Sequence, residues 1–166
     1  MRENEGQYTH GAIWAVMAFA RMGNAERAWQ LRSMLNPINH TLNAGSVGIY
    51  KAEPYVMSTD DYSVVPHTGR AGWSWYTGSA GWAWRLLTEE LLGIKRFGTD
   101  FTVHARSPDA WPSFSIAYQY GESHYQIRVS RSNAEYRVTL DGVLLPDDRI
   151  PLRDDGQNHT VEIIQN

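Results

Sequence analysis

Cysteine is absent from the 166 residues, which excludes a disulfide framework, a thiolate nucleophile and a zinc-thiolate site, and leaves an intracellular compartment permitted. No run of Lys or Arg occurs, and fifteen basic against eighteen acidic residues leave a net charge of -3. A nucleic acid or an anionic membrane held by a basic patch is therefore not expected. The longest apolar stretch, Ala12 to Ala20, is too short to span a bilayer and does not follow the basic start of a signal peptide. No Gly-x-Ser-x-Gly elbow, phosphate-binding P-loop or dinucleotide fingerprint occurs either, which removes the commonest motif-bearing enzyme classes. What is present, 42% hydrophobic and 20% charged residues, suits one or two compact domains and excludes disorder as the main state.

The chain has two halves. Six of the seven tryptophans lie before residue 85, and up to Lys95 the basic and acidic residues balance at eight each, so the whole negative charge belongs to the later part. Periodicity changes at the same place. Ile13, Met17 and Ala20 recur at helical spacing until Gly23. Asn24 can cap a second helix that carries Ala25, Ala28, Trp29 and Leu35 and ends before Pro37. A third helix is predicted from Ser79 to Leu92, with Trp82, Trp84, Leu86, Leu87 and Leu91 spread so widely that burial on most sides is expected. The intervening segment, 38 to 77, is rich in Gly, Ser, Pro, Asn and Tyr and reads as a long functional loop. Beyond residue 95 the period is two, with predicted strands around Phe101 to Val103, Phe114 to Tyr120, Tyr125 to Val129, Tyr136 to Leu140 and His159 to Ile164. Gly121-Glu122, Asp141-Gly142 and Asp155-Gly156 read as turns. The expected organisation is α+β: residues 1–95 form a helical part and residues 96–166 a small antiparallel β-sandwich. The three helices expose more apolar surface than they can bury on each other, so a larger protein or an oligomer is expected.

Thr77, Gly78 and Ser79 would stand at the N-terminus of the third helix, where free N–H groups and the macrodipole can hold an anion. On this feature alone an ordinary N-cap from Thr77 or Ser79 is preferred. His10 opens the first helix beside Tyr8 and Thr9, as an anion contact or as an ordinary hydrogen-bonding residue. Trp73 and Trp75, in the loop, are better placed to stack on sugar rings than Trp82 and Trp84, whose helical spacing suits a core. Glu3 and Glu53 supply carboxylates for sugar hydroxyls or acid/base work, and His67 to Arg70 a further polar cluster. Asp60-Asp61 lacks further ligands at metal-binding spacing, so no metal is expected.

Taken together, Glu3-Asn4-Glu5-Gly6-Gln7-Tyr8-Thr9-His10, Tyr50-Lys51-Ala52-Glu53-Pro54-Tyr55-Val56 and Gly72 to Trp82 resemble, in this order, glycoside hydrolase family 94, the inverting sugar phosphorylases. Pro66 to Arg70 and Tyr76 to Ser79 look most like the version in the C-terminal domain of cyclic β-1,2-glucan synthases and related β-1,2-oligoglucan phosphorylases. The resemblance covers residues 2 to about 130 and implies the last helices of an (α/α)6 barrel followed by a small β-domain. It implies that inorganic phosphate, a co-substrate rather than a cofactor, attacks the anomeric carbon of a β-glucan oligosaccharide while a carboxylic acid protonates the leaving oxygen, giving an inverted sugar 1-phosphate. By motif position His10, Thr77 and the backbone of Gly78 fall on the phosphate-binding residues, Glu3 on an acceptor-side sugar glutamate and Gln7 on the next subsite. Glu5 replaces a small residue usual in that loop. The family's general acid, an upstream aspartate, has no equivalent in these 166 residues, so the chain alone is expected to be inactive and to need the N-terminal part of the barrel or an oligomer. A cytoplasmic location is expected. The competing expectation is a non-catalytic carbohydrate-binding or assembly module, in which Trp73 or Trp75 matters more than His10; a hydrolase on the same barrel is a third.

Overall fold

The computed structural model describes residues 6–166. The chain divides into two compact units, one ending at Leu91 and the other starting at Leu92, and the segment around 95 is strand Ile94–Phe97 of the second.

In the first unit, helix α1 (Thr9–Arg21) buries Ile13, Val16, Met17 and Ala20 along one stripe, the i, i+3, i+4, i+7 spacing of a half-buried helix. It stops at Gly23, whose φ of 80° needs a residue without a Cβ. Asn24 then caps α2 (Ala25–Met34) by accepting a hydrogen bond from the Arg27 amide. Pro37 opens a 3-10 turn, Pro37–His40. The following segment is more ordered than its composition suggests. Asn43 and Ser46 exchange a reciprocal pair of hydrogen bonds, a capping box that starts the short helix α3 (Ala44–Tyr50). Strand β1 (Gly6–Tyr8) pairs antiparallel with β2 (Asp60–Tyr62).

The last helix, α4, runs Thr77–Arg85 and widens into a π-helical turn, Leu86–Leu91. The Thr88 hydroxyl donates to the Trp84 carbonyl, 2.9 Å away, at this transition. Burial on most sides does not hold: Ser79, Leu86 and Leu91 are buried while Trp84 is 59% exposed, so the helix has one buried side. Leu86 and Leu91 join Ile13, Val16, Met17, Ala20 and Ala28 in a single core. The π turn also carries Glu90 inward to a 1% exposed position, where Arg21 of α1 reaches it at 2.8 Å.

The described secondary structure of the second unit consists of strands joined by turns and loops. Its five-stranded sheet contains β5 (Ser113–Tyr120), β6 (Ser123–Arg131), β10 (Asn158–Gln165), β7 (Arg137–Leu140) and β8 (Val143–Leu144), in that order. The smaller sheet holds β3 (Ile94–Phe97), β4 (Asp100–Val103) and β9 (Ile150–Pro151). Alternating inward residues of the two, among them Phe101, Val103, Tyr125, Ile127, Val161 and Ile163, form one dry core. The sheets pair antiparallel with one departure: β10 lies parallel to β6, His159 opposite Tyr125 and Ile163 opposite Val129. Alternation fixes which face of a strand is buried, but not the direction of its neighbour, which is why the fully antiparallel expectation misses this pair.

Candidate functional site

The segment 57–59 brings the ends of two helices together. The Thr9 amide donates to the Thr59 carbonyl (2.8 Å), the Thr59 amide to the Trp73 carbonyl (2.7 Å) and the Tyr76 amide to the Met57 carbonyl (3.2 Å). These bonds seat the N-terminus of α1 and the segment that enters α4 on the same strip of backbone.

Neither helix carries a side-chain N-cap. The N-cap residues are Tyr8 and Tyr76, both extended and neither making a capping hydrogen bond. The cap expected from Thr77 or Ser79 is therefore not made: these residues lie inside the first turn of α4, past its N-cap position, and no side chain caps the orphan amides of that turn. The two tyrosine hydroxyls lie 3.4 Å apart, with the rings edge-on at 6.4 Å.

His10 sits between the helix ends. Its ring stacks on Tyr8 at 5.8 Å and meets Trp14 at 4.7 Å and Trp82 at 5.8 Å. A Cβ added to Gly78 would stand 3.9 Å from His10 Nδ1, so the imidazole and the first turn of α4 are in van der Waals reach. His10 Nε2 and the Ser79 hydroxyl are both buried and make no hydrogen bond. Thr77 and Gly78 are exposed. A donor-rich, partly walled place results, with N–H groups, a hydroxyl and an imidazole, the chemistry that suits an oxyanion.

Among the other residues named from the sequence, Gln7 lies in β1 opposite Asp61, and Glu3 lies outside the described residues. Trp73 and Trp75 are 70% and 65% exposed. Trp75 adopts a φ of 62°, rare for a large side chain, and its indole N–H donates to Glu53 Oε1 at 3.3 Å, with Tyr55 edge-on at 6.1 Å. An amide of its own backbone, with smaller help from Trp75 and Ser74, holds the Glu53 carboxyl below the usual range. This aromatic and carboxylate ledge is distinct in its contacts from the His10 group.

Asp60 and Asp61 separate in role. Asp60 is 3% exposed and packs against Gly72, where an added Cβ would come within 3.0 Å of its backbone oxygen. Asp61 accepts a hydrogen bond from Ser58 (3.1 Å), whose hydroxyl also lies 3.3 Å from that of Thr9. Burial pushes the Asp61 carboxyl up, against the Ser58 hydrogen bond and the nearby His40. His67 and Arg70 close a turn, the Arg70 amide donating to the His67 carbonyl at 3.0 Å, rather than forming a cluster with the other polar residues.

The sequence reading passes over the walls of the His10 site, Trp14 and Trp82, which meet edge-to-face at 5.6 Å. With Arg21 and Arg85 they line a groove of about 310 Å³. The signal was available for one of them: His10 and Trp14 are one helical turn apart on α1, where side chains of residues i and i+4 meet. Trp82 approaches from another helix and leaves no local trace.

A family model described as the glycosyl hydrolase 94 superfamily, catalytic domain, matches residues 1–93. The chain is 43% identical over 133 residues to a cyclic beta-(1,2)-glucan synthase of Rhizobium meliloti (strain 1021), covering 80% of this chain and 5% of that protein. It is 28% identical to an N,N'-diacetylchitobiose phosphorylase of Vibrio proteolyticus, over 99% of this chain and 21% of the relative. With a solabiose phosphorylase of Paenibacillus borealis the identity is 27%, over 97% and 21%. The chain thus spans about one fifth or less of the length of these relatives. Among the described residues no helix is long and apolar enough to cross a membrane.

Proposed function

From the premise that the chain belongs to the glycosyl hydrolase 94 superfamily, we propose that it supplies the phosphate site and part of the sugar subsite of an inverting β-glucan phosphorylase. In this reading the fold of the whole enzyme is an (α/α)6 barrel, to which residues 1–95 contribute the last helices. Inorganic phosphate docks against the first turn of α4, the Gly78 amide and Thr77 donate to its oxygens, and His10 donates from the side. Gln7, Glu3, Trp73 and Trp75 hold the glucan. The phosphate oxygen attacks the anomeric carbon as the glycosidic C–O bond breaks, and the leaving oxygen takes its proton from a carboxylic acid that none of these 166 residues supplies. The chain by itself then has no phosphorolysis activity.

The observation that carries this reading is the meeting of His10 with an N-terminus of α4 that has no side-chain cap. A side chain that donates to a charged oxyanion contributes about 1.5–3 kcal/mol, so His10→Ala should weaken phosphate binding by roughly ten- to a hundredfold. The test is an NMR titration of the chain with inorganic phosphate, following the histidine rings and the amides of residues 77–79. Saturable shifts in these signals, lost in His10→Ala, are expected. A folded chain that shows no response would remove the phosphate role from these residues. The exposure of Trp73 and Trp75 favours a second reading, a carbohydrate-binding module without chemistry. In that case a β-1,2-glucan oligosaccharide binds unchanged in His10→Ala and fails to bind when Trp75 is replaced by Ala.

A further inference from the structure

His159 is the second residue of β10 and is 4% exposed. Both ring nitrogens face carboxylates: Nδ1 lies 2.8 Å from Asp141 Oδ2 and Nε2 lies 3.2 Å from Asp155 Oδ1. A neutral imidazole has one N–H and one lone pair, so in this place its lone pair would be turned against a carboxylate oxygen. Only the doubly protonated ring satisfies both partners.

Each carboxylate is itself fixed. Asp141 accepts the Thr160 amide at 2.8 Å, and Asp155 accepts the Ser123 hydroxyl and the Gln157 amide, each at 3.0 Å. Ser123, fully buried at the start of β6, in turn accepts the amides of Asp155 and Gly156. The ring therefore joins the β7–β8 turn to the β9–β10 loop and to the first residue of β6. Asp141 and Gly142 hold the turn with φ of 52° and 80°, a type I′ geometry that a non-glycine residue adopts at some cost. We propose that His159 is a proton-operated latch of the β unit, closed while the ring carries two protons and released when one leaves.

The titratable groups around the ring are Asp141 of the turn, Asp155 and Arg153 of the loop, and Tyr125 of β6, whose ring lies 4.7 Å away. The hydrogen bond to Asp141 raises the His159 value, outweighing burial, and Asp155 adds to it. Burial works against ionisation of both carboxylates, but the bonds from His159 and the backbone leave each below its ordinary value. A raised histidine stabilises fully below its unfolded value of 6.5 and loses that contribution as pH rises through the folded value. The lowered carboxylates stabilise above 3.8 and lose their contribution as pH falls through their folded values. The latch is tightest between these limits.

The test follows the ring nitrogens of His159 and hydrogen exchange of the Thr160 and Gly156 amides in the full chain as pH is raised. Both nitrogens should remain protonated beyond pH 6.5, and amide protection, corrected for intrinsic exchange, should fall about tenfold once the ring titrates. Asp141→Asn, which keeps an acceptor for Thr160, should lower the midpoint; it serves as the second variant if His159→Gln fails to fold. A ring nitrogen found unprotonated at pH 6, or protection that does not change across the midpoint, overturns the latch.

Discussion

Among the described residues the two units bury similar numbers of apolar side chains, ten in the helical unit and eleven in the β unit, yet the helical unit leaves fourteen large apolar side chains exposed and the β unit five. The difference follows from geometry. Each strand of the β unit turns alternate residues inward, and two sheets facing one core use nearly every apolar position. The helices bury a single stripe, and their other sides carry Trp14, Met22, Met34 and Trp84 into solvent. The exposed aromatics are concentrated where His10, Trp73 and Trp75 stand, so the unit with the candidate chemistry is also the one with apolar surface left over. An exposed apolar surface of this kind is the usual mark of a ligand or partner site. The β unit covers its apolar side chains more completely than the helical unit does.

The sharpest way to break this comparison is to damage each core in turn. Ile127→Ala empties a position in the β core with no solvent exposure and should cost about 3–5 kcal/mol. In hydrogen exchange the strand amides should then open while those of α1 keep their protection; uniform loss in both units would show that they do not behave as separate bodies. A smaller effect is expected from Arg21→Ala. It removes the guanidinium that stands 2.8 Å from the Glu90 carboxylate, which is 1% exposed, at a cost of about 2–3 kcal/mol because Arg21 itself faces water. Chemical denaturation should record this loss, and Glu90→Gln in the same background should recover part of it. Asp61→Asn should be mildly stabilising at neutral pH. Burial raises the Asp61 value above its ordinary 3.8, so ionised Asp61 costs stability at pH above the folded value, and the gain from Asn should shrink to nothing as pH falls below 3.8. Thermal unfolding at pH 7 and pH 3.5 checks both halves of this statement. The smallest change in stability, within about 0.5 kcal/mol, is expected for Trp84→Gln, whose side chain is 59% exposed, and thermal unfolding checks it.

Much of this contrast was legible in local pattern. Ile13, Met17 and Ala20 announced α1, Asn24 and Pro37 bounded α2, and the alternation from Phe114 to Tyr120 and Tyr125 to Val129 gave β5 and β6 with the Gly121-Glu122 turn between Tyr120 and Ser123. The elements that escaped depend on partners distant in the chain or on unusual chemistry. Strands β1 and β2 are three residues each, too short to show alternation, and pair across more than fifty residues. Helix α3 is hidden in Gly and Ser, and its capping box uses Ser46 where Glu or Gln is the familiar signal. For the candidate site, the positions of His10, Thr77 and Gly78 were named from motif order, but their surroundings were not. The tyrosine N-caps meet each other, and Trp82 meets His10, only through tertiary contacts between α1 and α4.

The parallel strand of the β unit has a consequence for how the protein comes into being. Strand β10 follows β6 and β7 in sequence, yet among the described residues it lies between them in the sheet. A ribosome delivers β5 and β6 as a hairpin long before the strand that must flank β6 has left the exit tunnel. Until then the inner edge of β6 and the apolar faces of Ile127 and Val129 await a neighbour some thirty residues downstream. Closure of this unit is thus a late, long-range event of the kind that slows folding. During synthesis the waiting edge is an unpaired strand edge, open to pairing with other chains until β10 arrives.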